Sequence, residues 1–321
     1  MKTLQTVPFL PFLLLHRLCA GATTLLPSAR TPSTASSPTR VSAALLRATA
    51  LELVVLAGHA LLYPTGITGE RHPGAGAAEG TASGSPGQTG RASTATTAPA
   101  GTTALPVGHP ERPPVVLLHG FIDNRSVFVL LRRSLARHGW RHLESLNHSP
   151  LTCDIRTAAE LLGRHVEEIC ARTGHREIDI VGHSLGGLIA RYYVQRLGGD
   201  QRVRTLVTLG TPHGGTAVAP LAGALPIVRQ MRSDSAPIEE LRLPAPGCRT
   251  RFVSFWSELD QVIVPVEAAR IDHPDLDAVN VRVSGVGHLA LPVHPSVAAA
   301  VREALDADEA DRASTGTASV A

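Results

Sequence analysis

Hydrophobic and polar positions fall into blocks along this chain, and from residue 113 onward the blocks switch between two rhythms. Short unbroken apolar runs, such as "PVVLLHG" at 114–120, fit strands buried on both faces. Between such runs apolar residues recur every three or four positions. In "DIRTAAELLGRHVEEICART", Ile155, Ala158, Ala159, Leu162, Val166 and Ile169 share one helical face, with Asp154 placed to cap the start. The pattern predicts strands over 114–120, 141–146, 177–181, 203–208, 251–256 and 279–283, and helices over 126–138, 154–173, 185–197 and 295–305. Residues 211–250 are Pro-rich and irregular. Strands alternating with helices define an α/β fold, a mostly parallel sheet covered by helices on both faces, with ligands expected at the carboxyl ends of the strands.

The first 112 residues read differently. Residues 1–22 carry Lys2, an apolar run to Leu15 and then Ala20-Gly21-Ala22, an order that resembles a secretory signal, although Pro8 and Pro11 interrupt the run and His16 and Arg17 follow it. Residues 41–63 form a second apolar run, long enough to cross a membrane. Arg47, Glu52 and His59 argue against crossing, which leaves a helix lying on a membrane surface or one docked on the protein. Residues 64–112 are Gly, Ala, Ser, Thr and Pro with few large apolar side chains, so they bury too little to offset ordering and are expected to be a disordered linker. The folded domain is then expected over 113–305, followed by a disordered tail at 306–321.

Composition narrows the function classes. The formal net charge is +3 and Lys2 is the only lysine, so the clustered basic footprint of a nucleic-acid binder is absent. Cys19, Cys153, Cys170 and Cys248 show no metal-site spacing, so no structural metal is expected. Cys153 and Cys170 flank one helix that holds them about 25 Å apart, too far to bridge, so any disulfide would have to use Cys248.

The chemistry starts at "IDIVGHSLGGLIARYYV", residues 178–194. Ser184 stands between Gly182 and Gly186 on a turn that joins a strand to a helix. A nucleophile presented at a strand end needs so sharp a turn that side chains at the flanking positions would clash. Serine also needs a base, and the base an orienting carboxylate. His288, in "SGVGHLALP" after the last strand, is the candidate base, with His213 of "TLGTPHGG" as the alternative. His119 and His183 border motif glycines and are read as buried supporting residues. Asp260, in "FWSELDQVIVP", follows the preceding strand and is the candidate acid, with Glu258 as the alternative. The backbone N–H groups of Leu185 and of Phe121, the latter in "LLHGF", are the expected oxyanion donors.

Five ordered segments, "VVLLHGF", "VGHSLGGLIARYYV", "LVTLGTPHGGT", "FWSELDQVIVP" and "GVGHLALP", together resemble a bacterial lipase or esterase of the α/β-hydrolase superfamily over residues 113–305. The resemblance implies the α/β-hydrolase fold and cofactor-free hydrolysis of carboxylic esters, lipids included, through an acyl-enzyme. It also implies that Val218–Val228 forms a lid or acyl-binding wall, with a plain core helix as the other reading. A monomer, secreted or associated with the outer side of a membrane, is expected. Acyl transfer or thioester cleavage at the same site, and a non-catalytic binding role, are the competing readings.

Overall fold

The computed structural model describes residues 43–62, 112–121, 123–147, 154–217 and 226–316. The expected signal at 1–22, residues 64–111 of the expected linker at 64–112 and residues 218–225 of the expected lid lie outside the described residues. Six strands, β1 (Val115–Leu118), β2 (Leu143–Leu146), β3 (Ile178–His183), β4 (Val203–Leu209), β5 (Arg251–Ser257) and β6 (Asp277–Val283), form one sheet in the order β2-β1-β3-β4-β5-β6. Every pairing is parallel. All the carboxyl ends therefore open at one edge.

Seven α-helices accompany the sheet among the described residues: α1 (Ala43–Leu62), α2 (Val129–Arg137), α3 (Ile155–Thr173), α4 (Leu185–Arg196), α5 (Pro226–Gln230), α6 (Ala236–Glu240) and α7 (Pro295–Gly316). Alternation along β1 shows how the layers are divided. Val116 and Leu118 pack with α3 and α4 residues such as Leu162, Val166 and Leu188. Val115 and Leu117 pack with Leu131 and Leu135 of α2 and with Val297 and Val301 of α7. Each large apolar side chain taken fully out of water in this way contributes about 1.5–3 kcal/mol before the entropy of ordering it is subtracted.

Local signals end the elements where the pattern predicts. Asp154 accepts the Thr157 N–H at 2.7 Å and caps α3, and Gly174 closes that helix in the left-handed conformation. The closing helix runs beyond 305 to Gly316, because "DADEADRA" is rich in Ala and spaces Asp308 and Arg312 four residues apart, which favours helix. The irregular region holds the two short helices α5 and α6, and Ile227 and Val228, at the end of the expected lid, are buried in the core.

One ion pair lies inside the sheet. Arg204 of β4 donates to both carboxylate oxygens of Asp179 on β3, at 2.9 and 2.6 Å, and to the Leu305 carbonyl at 2.9 Å. Both side chains are buried, and the fork ties two strands to α7.

Helix α1 groups with the residues from Arg112 onward in one compact unit. Ala48 and Val55 are buried, Val55 within the core that includes Phe128, Leu289 and Leu291. The opposite side leaves Leu46, Leu53, Val54 and Leu61 exposed. Among the described residues no helix is long and apolar enough to cross a membrane.

Candidate active site

The turn between β3 and α4 is as tight as the glycine spacing requires. Ser184 has φ 52° and ψ −120°, and among the described residues it is the only non-glycine with positive φ. Such a conformation costs on the order of 1–3 kcal/mol and persists only when the surroundings fix it. They do so through hydrogen bonds to both its N–H and its carbonyl. The Ser184 N–H donates to the Leu209 carbonyl at 2.9 Å, while its own carbonyl accepts from Gly187 N–H at 3.1 Å and from the Thr211 hydroxyl at 3.0 Å. A side chain at position 186 would place its Cβ 2.3 Å from the Leu118 carbonyl oxygen, and one at 182 would place it 2.5 Å from Gly187 Cα. Only glycine allows helix, strand and neighbouring strand to meet here.

The candidate base and the candidate acid lie on the loops after β6 and β5. His288 Nδ1 and Asp260 Oδ2 are 2.7 Å apart, and both side chains are buried. Burial pushes the His288 pKa down, but the Asp260 charge and hydrogen bond, with smaller contributions from Glu52 and Asp123, more than offset it, and the net shift is upward. The alternative acid, Glu258, forms a surface ion pair with Arg282 instead. The alternative base, His213, is buried beside Thr208, its Nε2 3.0 Å from the Thr208 hydroxyl. Burial, reinforced by Arg191, holds its pKa well below the ordinary imidazole value. Arg191 is itself buried, its pKa pushed down to about 9 mainly by desolvation. It donates to the carbonyls of His213 and Leu241 and so joins the segments on either side of α5.

The loop after β1 closes the other side. A Cβ on Gly120 would lie 3.2 Å from Ser184 Cβ, so Phe121 follows a residue in van der Waals reach of the serine. Leu185 is the first residue of α4, where an N–H has no acceptor within its own helix. The two N–H groups anticipated as oxyanion donors thus sit on the two backbone segments that flank Ser184.

Beneath this layer lie residues that motif spacing singles out only in part. His183 Nε2 is 3.2 Å from the His288 carbonyl oxygen, and its Nδ1 is 3.2 Å from Asp123 Oδ2. His119 Nδ1 lies 2.8 Å from the Gly120 carbonyl, and burial lowers its pKa. Asp123 gave a weak signal, an acid three residues after Gly120 in a loop that otherwise reads as a turn. Glu52 on α1 also reaches the His288 loop. In the sequence it is visible only as a charge within an apolar run. Among the described residues no group of His, Cys, Asp and Glu is arranged to hold a metal ion.

Comparison with known proteins agrees with this architecture. A family model described as the alpha/beta hydrolase fold matches residues 113–245. A triacylglycerol lipase of Pseudarthrobacter phenanthrenivorans is 30% identical over 115 residues, covering 34% of this chain and 35% of the relative. A triacylglycerol lipase of Burkholderia plantarii is 30% identical over 115 residues, covering 34% and 32% respectively. The match thus spans about a third of the length of either relative. Among solved structures, Aspergillus fumigatus lipase B has a TM-score of 0.55 at 16% identity, covering 64% of this chain and 55% of the other. The sheet, its helices and these likenesses give the chain the α/β-hydrolase fold.

Proposed function

We propose that this chain of α/β-hydrolase fold is a serine hydrolase of carboxylic esters, with lipid esters as its substrate class. The observation that carries the reading is the buried His288–Asp260 pair, 2.7 Å apart, at the same sheet edge as the strained Ser184. The likeness to triacylglycerol lipases over 115 residues supports the choice of ester and lipid.

The steps follow from what each group can do. His288 takes the Ser184 proton as Oγ attacks the acyl carbonyl carbon, and Asp260 holds the imidazole in the tautomer that leaves Nε2 free to accept. The carbonyl oxygen becomes an oxyanion, stabilised by the N–H groups of Leu185 and Phe121 in a site shielded from water. Collapse breaks the carbon–oxygen bond of the ester, and the imidazolium returns the proton to the leaving alcohol. Water, deprotonated by His288, then attacks the acyl-enzyme and releases the acid with Ser184 restored. Each step uses only this chain's residues and water.

A p-nitrophenyl ester series, run beside emulsified long-chain glycerides, tests the reading. The wild type should turn over both, and Ser184→Ala neither. A labelled fluorophosphonate should modify Ser184 and no other residue. Equal activity of the wild type and Ser184→Ala would end the proposal, and a wild type inactive on emulsions would remove lipids from it. We also read residues 1–22 as an export signal, which recovery of protein starting near residue 23 from the culture medium would test.

A further inference from the structure

Helix α1 carries a charge in the middle of an apolar run, and burying a carboxylate is costly unless it is hydrogen-bonded. Glu52 is bonded twice. Its Oε2 accepts the Leu289 N–H at 3.0 Å and its Oε1 accepts the Ala290 N–H at 3.0 Å. These are the two amides that follow His288 in the chain. The approach depends on Gly287, since a Cβ there would lie 2.6 Å from both Cδ and Oε1 of Glu52. Before and after the imidazole, then, the backbone is adapted to this one side chain.

We propose that Glu52 is a positioning residue for His288, its carboxylate holding the backbone that presents the imidazole; this rests on the reading of His288 as the base. The loop is fixed on two sides. Glu52 holds the amides after His288, and His183 holds the His288 carbonyl at 3.2 Å. Both carboxylate oxygens are used, each on a different amide, so the loop can neither slide nor rotate without losing a charge-assisted bond. The apolar contacts of α1, Val55 in the core and Leu51 and Leu56 packed against it, set the depth at which the carboxylate sits. In this arrangement α1 is part of the catalytic apparatus.

The second effect is electrostatic. The ionisable groups that face His288 are Asp260, Glu52, Asp123 and His183, whose ring centroid is 4.9 Å from that of His288. A negative charge at position 52 favours the imidazolium, so removing it lowers the His288 pKa. His288 must be neutral to accept the Ser184 proton, and the acid limb of kcat/KM therefore moves to lower pH when that charge is lost.

The test compares wild type, Glu52→Gln, Glu52→Asp and Gly287→Ala in the full chain, with rates expressed per serine titrated by the fluorophosphonate. Glu52→Gln keeps the shape but loses the charge and one acceptor. It should lower kcat by about tenfold to a hundredfold, the scale of a ~1 Å misplacement, with KM little changed and the acid limb at lower pH. Glu52→Asp retains the charge and should return the limb toward its wild-type position. Gly287→Ala, which pushes the loop off the carboxylate, should lose rate as Glu52→Gln does. A residue that merely docks α1 would lower the melting temperature and leave kcat per titrated serine and the limb where they are. That result in Glu52→Gln, or in Gly287→Ala should Glu52→Gln fail to fold, overturns the proposal. Ser184→Ala is assayed alongside, and its retained activity would instead refute the reading of the site.

Discussion

Asp260 shares its carboxylate between two tasks: Oδ2 lies 2.7 Å from His288 Nδ1, while Oδ1 accepts the N–H groups of Val262 and Ile263 at 2.8 and 2.9 Å. The loop after β5 thereby fixes the Asp260 carboxylate through its own backbone amides. Asp260→Asn keeps the size but presents either an amide N–H₂ or a neutral oxygen to His288. We expect kcat to fall by ~100-fold to ~10,000-fold, with the acid limb at lower pH because the largest influence raising the His288 pKa is gone. Steady-state rates across pH, per titrated serine, check this.

Gly186 offers a steric test of the elbow. An alanine Cβ would meet two backbone carbonyl oxygens, of Leu118 at 2.3 Å and His119 at 2.6 Å, and neither belongs to a side chain that can rotate away. Gly186→Ala should lose about 3 kcal/mol of stability, visible as a lower urea midpoint with the same slope.

Within the sheet, Asp179→Ala would remove the carboxylate that Arg204 grips through both oxygens. Breaking a buried pair from one side costs about 3–5 kcal/mol. We expect that loss in urea denaturation, together with unchanged kcat per titrated serine well below the melting temperature, since the pair lies at the β3–β4–α7 junction and makes no bond to Ser184, Asp260 or His288.

His213 makes stability depend on pH in a direction that can be worked out. Its folded pKa lies well below the ordinary 6.5, so between the two values the unfolded chain binds a proton that the folded chain refuses. The contribution is complete above 6.5 and is lost as pH falls through that window toward the folded pKa. His213→Gln should therefore lose less stability than the wild type when chemical denaturation is repeated at about pH 8 and then about pH 5.5.

Most of the sheet was legible because a parallel strand covered on both faces must be mostly apolar. β1 is apolar throughout, β3 and β4 keep apolar residues around the buried Asp179–Arg204 pair and around His183 and Thr208, and the boundaries of all three fall within two residues of the expected ones. Edge strands were harder. β6 alternates between half-buried and exposed residues and begins at Asp277, two residues before the apolar pattern becomes visible at Val279. Ser184, Asp260 and His288 were legible for a different reason: each lies just past the end of a strand, and in a parallel sheet the strand ends alone bring them together. Asp260 was separable from Glu258 only in three dimensions, where Glu258 turns outward to Arg282. Glu52 had no such local marker. Its partners are backbone amides at the far end of the sequence, and an amide carries no side-chain signature.

The contact between Glu52 and Leu289 joins positions 237 residues apart, at opposite ends of the described chain. While the chain is continuous, the covalent connection makes the docking of α1 intramolecular, so the contact does not depend on protein concentration. A single cut between Leu62 and Arg112 would leave Ser184, Asp260 and His288 intact and yet turn α1 into a separate ligand. Under the proposed role of Glu52, the nicked protein would then obey mass action, losing rate on dilution and regaining it when a peptide of residues 43–62 is added.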